Sequence, residues 1–229
     1  MTIRAGLVGL GKIARDQHLP AIEKTAGIEV VAVASRNAQG EGVSNYPNLD
    51  AMLAGEPELD AVILCQPPQV RYQAARQAIL ADQQFFPEKP AGPPVSGGEA
   101  AGARAQARNV PLYASWHSHY AAAVAQAKAW LASRTIERID IQWREDVRHW
   151  HPGQPWIWEA GGFGVFDPGI NALSILTEIV PEPVTLLSAS LEVPQNKDAP
   201  IGAALKMATA SGAPVEAVFD WRQTGLNHA

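Results

Sequence analysis

The chain of 229 residues contains one cysteine, Cys65, so no disulfide can form within it. Val62, Ile63 and Leu64 precede that thiol and mark it as a buried strand residue rather than a reactive one. Clusters of Lys and Arg are missing too. With a net charge of −5, nothing in the sequence attracts nucleic acid or an acidic membrane surface. No run approaches the ~20 apolar residues of a membrane span, and the opening MTIRAGLVGLG lacks the long apolar core of a secretion signal. Repeats and low-complexity tracts are absent as well. These absences point to a cytoplasmic protein with a small-molecule partner. The length accommodates two modest domains, each with its own core.

What is present begins as strand, turn and helix. An apolar segment from Ile3 to Val8 ends in glycines, and Ile13, Leu19 and Ile22 come next at helical spacing. Ile28 to Ser35 is the apolar, β-branched run expected of a parallel strand buried on both faces, which completes a βαβ unit. A short helix over Asn48 to Leu53, a strand over Ala61 to Cys65 and a helix over Val70 to Ala81 continue the alternation. Strands over Gln84 to Pro87 and Leu112 to Trp116 close it. Beyond His119 the texture changes. Ala122 to Ala132 reads as a helix, Glu137 to Arg144 as a half-solvated strand, Val147 to Phe166 as an aromatic loop, and a helix begins near Pro168. Leu186 to Val193, Ala203 to Ala208 and Pro214 to Trp221 are strand-like, the last two joined by a Ser211-Gly212 turn. The expected class is α/β: a Rossmann doubly wound parallel sheet over 1–119, then an α+β domain over 120–229 with an open, mostly antiparallel sheet.

Gly9-Leu10-Gly11-Lys12-Ile13-Ala14 fits the pattern GxGxxA where a strand gives way to a helix. Gly9 permits the tight turn, Gly11 lets the backbone approach a pyrophosphate, and Ala14 lets helix and strand pack closely, while the helix start offers unpaired N–H groups. These six residues are the expected cradle of a dinucleotide. The second strand ends Ala34-Ser35-Arg36, without the carboxylate that holds the ribose of NAD. Ser35 and Arg36 suit the extra phosphate of NADP, although Arg36 stacked on adenine would equally serve NAD. NADP is the expected cofactor, with NAD the alternative.

GLGKIA, then CQPP at 65–68, then EKP at 88–90, in that order, resemble the glucose-fructose oxidoreductase and inositol dehydrogenase (Gfo/Idh/MocA) family. Arg144-Glu145-Asp146 and the stretch WHPGQPWIWEAGGFGVFDPGINALSI over 150–175 resemble its branch of aldose 1-dehydrogenases acting on L-arabinose and D-galactose. The resemblance implies that Cys65, Pro67, Pro68, Glu88 and Lys89 border the cofactor. It further implies that hydride leaves C1 of an aldopyranose to give a lactone, with Lys89 holding the C1 hydroxyl. Asp167 and Asn171 stand four apart at a helix start, so both can face one site. Much of the family has His at the second of these positions. Asn takes no proton, so the general base is assigned to Asp167 or Lys89, and Asn171 orients the sugar. Glu145, His151 and His117 are expected to bond sugar hydroxyls, and Trp150 to contact the ring, whereas Trp143, Trp156 and Trp158 are expected to pack between domains.

His117 and His119, like His149 and His151, form H-x-H pairs that would chelate from an extended segment. With no cysteine nearby and a hydride transfer that needs no metal, none is expected. Pro87 and the segment Gly92-Pro93-Pro94 to Gly97-Gly98 weaken the fourth strand and a leucine-free helix from Glu99. Relatives continue beyond the point where this chain stops, at Ala229. The resemblance therefore implies an incomplete outer sheet and argues against a dimer through it. The alternative to a dehydrogenase is a catalytically silent cofactor-binding or sensory protein of the same fold.

Overall fold

The structure, a computed structural model, describes residues 1–89 and 102–224. Two compact units divide between Ser115 and Trp116, whereas the change of texture in the sequence puts the boundary after His119.

In the first unit, β1 (Ile3–Val8), β2 (Ile28–Ala34), β3 (Ser44–Tyr46), β4 (Ala61–Leu64) and β5 (Gln84–Pro87) form a parallel sheet in the order β3-β2-β1-β4-β5. Alternate side chains of one strand enter different cores. Val62 and Leu64 pack with Ala74, Ala75, Ala78 and Ile79 of the helix Pro68–Leu80, while Ile63 and Cys65 pack with Leu7, Leu10 and Ala14. This two-sided burial explains the unbroken apolar run of β4. A helix spans 12–23; its middle, Ala14–His18, is a π-helical turn, and Leu19–Glu23 returns to α geometry. The short helix Leu49–Gly55 starts where the Asn48 side chain accepts the Ala51 N–H at 2.9 Å.

The expected strand over 112–116 is reduced to a bridge between Phe85 and Leu112, with single bonds from Tyr113 N–H to the Phe85 carbonyl and from Ser115 N–H to the Pro87 carbonyl. Proline is the reason. Pro87 has no N–H to return to this segment, and Pro111 removes a second donor, so the ladder stays incomplete. Residues 102–107 are helical. The readings for Pro90, for Gly92 to Gly98 and for a helix start at Glu99 lie outside the described residues.

In the second unit, β6 (Ile139–Arg144), β7 (Val184–Glu192), β8 (Gly202–Thr209) and β9 (Pro214–Asp220) form a sheet in the order β6-β9-β8-β7. The β7–β8 and β8–β9 pairs are antiparallel, and β6–β9 is parallel. The helix Phe166–Ile179 covers one face. Ala172 and Leu176 meet Leu205, Met207, Val215, Ala217 and Phe219 in a single core. Trp143, Trp156 and Trp158 pack against this same core. They pack within the second unit, beside the helix that covers its sheet. No helix among the described residues is long and apolar enough to cross a membrane.

Candidate active site

Parallel strands deliver their carboxyl ends to one edge, so the residues after β1, β2, β4 and β5 gather there: Gly9, Ser35, Cys65 and Glu88. Gly9 has φ +92°, and a Cβ on it would lie 3.0–3.2 Å from the backbone and side chain of Gln66 and the carbonyl carbon of Cys65. Only glycine fits this turn. Gly11 is the opposite case: a Cβ there would meet nothing within 4 Å. The space above the helix start is open, as a pyrophosphate requires, and the buried Gln66 side-chain oxygen beside the turn has no hydrogen-bond partner. Ala14 is fully buried under the helix. The residues present fit a dinucleotide.

Other predicted cofactor residues are placed less directly. Lys12 forms an exposed ion pair with Asp16 one turn along the helix, and Ile13 is exposed. Arg36 is exposed, and Ser35 N–H donates to the Tyr46 carbonyl. The Cys65 thiol is buried, and burial, followed by the charge of Glu88, pushes its pKa well up, so it stays protonated and faces the core. Cys65 can offer a ligand only its main chain. Pro67 and the buried Pro68 start the next helix.

Glu88 anchors a network that the motifs alone do not reveal. One carboxylate oxygen lies 2.7 Å from His18 Nε2, and the other accepts the Lys89 N–H at 3.1 Å. The buried Arg71 donates to the Glu88 carbonyl at 2.7 Å and to the Gln66 carbonyl at 2.6 Å, tying the ends of β4 and β5 together. Ser115 Oγ also accepts the Lys89 N–H, at 3.1 Å. Burial alone would raise the pKa of Glu88. The hydrogen bond and charge of His18, with the charge and amide of Lys89, outweigh that and hold the carboxyl below its usual range. The only sequence signal for His18 is its position, two turns into the first helix.

In the second unit, Asp167 sits in the first turn of the helix Phe166–Ile179, with Asn171 one turn further on and both partly buried. Gly164, at φ +50°, lets the preceding loop touch the backbone of Pro200, where any Cβ would collide at 2.1 Å. That close approach sets the helix start. His151 comes directly after the one-turn helix Val147–Trp150, whose N-terminus is capped by the Asp146 side chain. Its Nε2 lies 3.1 Å from Asp167 Oδ2, and its Nδ1 lies 3.2 Å from Gln154 Oε1. Its ring meets the edges or faces of Trp156 and Trp221. Gln154 holds the imidazole so that its other nitrogen addresses the carboxylate. The imidazole partner of Asp167 thus comes from His151, and position 171 carries Asn.

Glu145 extends beyond β6, where its N–H donates to the Asp220 carbonyl, and its carboxylate accepts the Trp143 indole N–H at 2.6 Å. Trp150 is 43% exposed and touches His149 edge-on. His117 is exposed at the start of a short turn, His117–Tyr120. His117 and His119 fall in one helical turn, where residues two apart point in different directions, and His149 lies within the helix Val147–Trp150 while His151 follows it. Among the described residues there is no group of three or more metal-ligating side chains.

A parallel sheet with a glycine turn, an open phosphate-side helix start and a polar carboxyl edge defines the nucleotide-binding half of a Rossmann oxidoreductase. Residues 3–115 match the profile of an oxidoreductase family with an NAD-binding Rossmann fold. The chain belongs to this family, Gfo/Idh/MocA. It is similar to galactose 1-dehydrogenase of Pseudomonas fluorescens, 45% identical over 223 residues that make up 96% of this chain and 71% of the relative. It is similar also to the crystal structure of a D-galactose-1-dehydrogenase protein from Rhizobium etli, with a TM-score of 0.92 at 55% identity over 98% of this chain and 73% of that one. The WlbA dehydrogenase from Bordetella pertussis, in complex with NADH and UDP-GlcNAcA, shares the fold at 19% identity and a TM-score of 0.88, covering 99% of this chain and 73% of that one.

The contrast between the two glycines yields an expected result. Gly11→Val leaves the thermal midpoint within about 2 °C of the parent's, since the new side chain enters open space. The same change raises the cofactor Kd at least about tenfold by filling the approach to the phosphates. Calorimetry and a fluorescence titration read the two effects separately. Unchanged affinity would remove the pyrophosphate from this turn.

Proposed function

We propose that the protein is an NAD(P)-dependent aldose 1-dehydrogenase that converts an aldopyranose, D-galactose or L-arabinose, to its lactone. The identity to two galactose 1-dehydrogenases along nearly the whole chain carries this reading. Bound nicotinamide supplies the hydride acceptor. Lys89, held at the end of β5 through its amide, bonds the C1 hydroxyl; Asp167 takes the proton that this hydroxyl releases as hydride departs from C1. His151 fixes the rotation of the Asp167 carboxylate. Asn171, which carries no titratable proton, orients a neighbouring hydroxyl, and Glu145, His117 and Trp150 contact the rest of the sugar. Incubation with NADP or NAD and a panel of aldoses, monitored by near-ultraviolet absorbance, tests the proposal. Turnover of D-galactose or L-arabinose supports it; cofactor binding without turnover of any aldose favours a silent binding protein.

NADP is the proposed cofactor, because β2 ends in Ser35 and Arg36 where an acid would be needed for the free ribose. Arg36→Ala weakens NADP binding by about tenfold, the worth of one charge-assisted contact near the surface, and NAD binding by less than about twofold. Dissociation constants for both cofactors check this. Tighter binding of NAD by the parent protein would overturn the assignment.

A further inference from the structure

Glu88 is the acid that most needs explaining in the first unit. It is 8% exposed at the end of β5, among apolar strand residues, where an apolar side chain would lie more comfortably. Both carboxylate oxygens are committed. One meets His18, whose side chain is itself largely buried, and the other accepts the amide of the next residue, Lys89. Arg71 grips the Glu88 carbonyl at 2.7 Å, and Ser115 shares the Lys89 N–H, so the Glu88–Lys89 peptide is held from three sides. Two of those grips come from Arg71 on the helix Pro68–Leu80 and from Ser115 in the segment that pairs beside β5. The third reaches across to the helix at 12–23, whose start faces the open space over Gly11.

His18 ends the π-helical turn Ala14–His18. Such a turn adds a residue to the local winding and rotates the rest of the helix about its axis, and it recurs near functional sites. Here it coincides with the contact from the phosphate-side helix to Glu88, whose carboxylate holds the Lys89 N–H, and with an edge-on contact to Phe86 of β5. We propose that His18 is a positioning residue: through Glu88 it holds the peptide of Lys89, and with it the lysine side chain, in register with the helix that faces the cofactor phosphates. The proposal rests on the reading of Lys89 as the group that binds the C1 hydroxyl. It assigns no contact with substrate or cofactor to His18 itself.

Two substitutions separate positioning from packing. His18→Leu fills the same volume without a donor, whereas His18→Gln sets an amide N–H where Nε2 stands. With D-galactose and NADP, His18→Leu lowers kcat about tenfold, the order expected when a reacting group drifts by a fraction of an ångström. Cofactor Kd stays within about twofold, because the glycine turn is untouched. His18→Gln regains most of the lost rate. Lys89 is also read without turnover, by reductive ¹³C-methylation of the lysines and assignment of its resonance with Lys89→Arg. That resonance moves in His18→Leu and returns in His18→Gln. Should the parent oxidise no aldose, a resonance that moves and returns still upholds the positioning role while the dehydrogenase reading fails. A resonance unmoved in His18→Leu overturns the proposal whatever the rate does, and so does a Gln variant that behaves like the Leu variant.

Discussion

Asp167→Asn lowers kcat by at least about 10²-fold and leaves cofactor affinity within about twofold. The substitution preserves shape and keeps an oxygen for His151, so the helix start and the loop against Pro200 persist. The loss is confined to the ability to take a proton. Oxidation at C1 cannot proceed until the hydroxyl proton has somewhere to go, and a positioned base contributes a factor of about 10²–10⁴ to such a step. Steady-state kinetics on D-galactose, paired with a cofactor titration, measure both quantities. Near-parental turnover would remove Asp167 from the chemistry and leave it an acid in the first turn of its helix. His151→Phe, by contrast, takes the imidazole away from the carboxylate and leaves the carboxylate itself in place.

Lys89→Met gives the second large effect, a fall in kcat/KM for the sugar of about 10²-fold or more. Methionine keeps the length of the stem, and the amide of this residue donates to Glu88 and Ser115 whatever the side chain. The backbone therefore stays in place, and the loss reports on the amine alone. Loss of a group that merely binds the hydroxyl raises KM; loss of one that takes the departing proton or stabilises the oxyanion it leaves lowers kcat as well. The split between the two parameters places Lys89 in the mechanism. A variant with parental values of both would contradict its assignment.

The strands most plainly written in the sequence are those buried on both faces. β4 is apolar throughout, β1 and β2 are apolar but for Arg4 and Glu29 near their starts, and each begins and ends within a residue or two of its expected bounds. β3 leaves no such mark, because three partly polar residues, Ser44–Tyr46, pair at the sheet margin and carry no hydrophobic period. The strand expected over 112–116 is incomplete for a reason also written in the sequence: prolines at 87 and 111 remove donors on both sides of that pair. In the second unit the mostly antiparallel sheet is legible, but the parallel pairing of β6 with β9 is not, because pairing partners so distant in the chain leave no local trace.

The candidate site divides along the same line. Gly9, Gly11 and Ala14 are readable because backbone geometry demands small residues at fixed spacing. Asp167 and Asn171 are readable because helical spacing puts them on one face. Pairings between segments are not. His151 reads in the sequence as a sugar contact, and its hold on Asp167 depends on the one-turn helix Val147–Trp150 and the glycines before Phe166, none of which has a periodic signature. His18, Arg71 and Ser115 escape for the same reason: each acts on a partner that the fold, not the sequence, brings near.

Hydride transfer from C1 of an aldose is the central claim of the proposed function. Incubating the protein with D-galactose deuterated at C1 and oxidised cofactor, then analysing the reduced nicotinamide by mass spectrometry, tests it directly. One deuterium in each molecule of reduced cofactor, accompanied by galactonolactone, is the predicted result. Reduced cofactor that carries no deuterium, or no reduction at all with cofactor demonstrably bound, would contradict it.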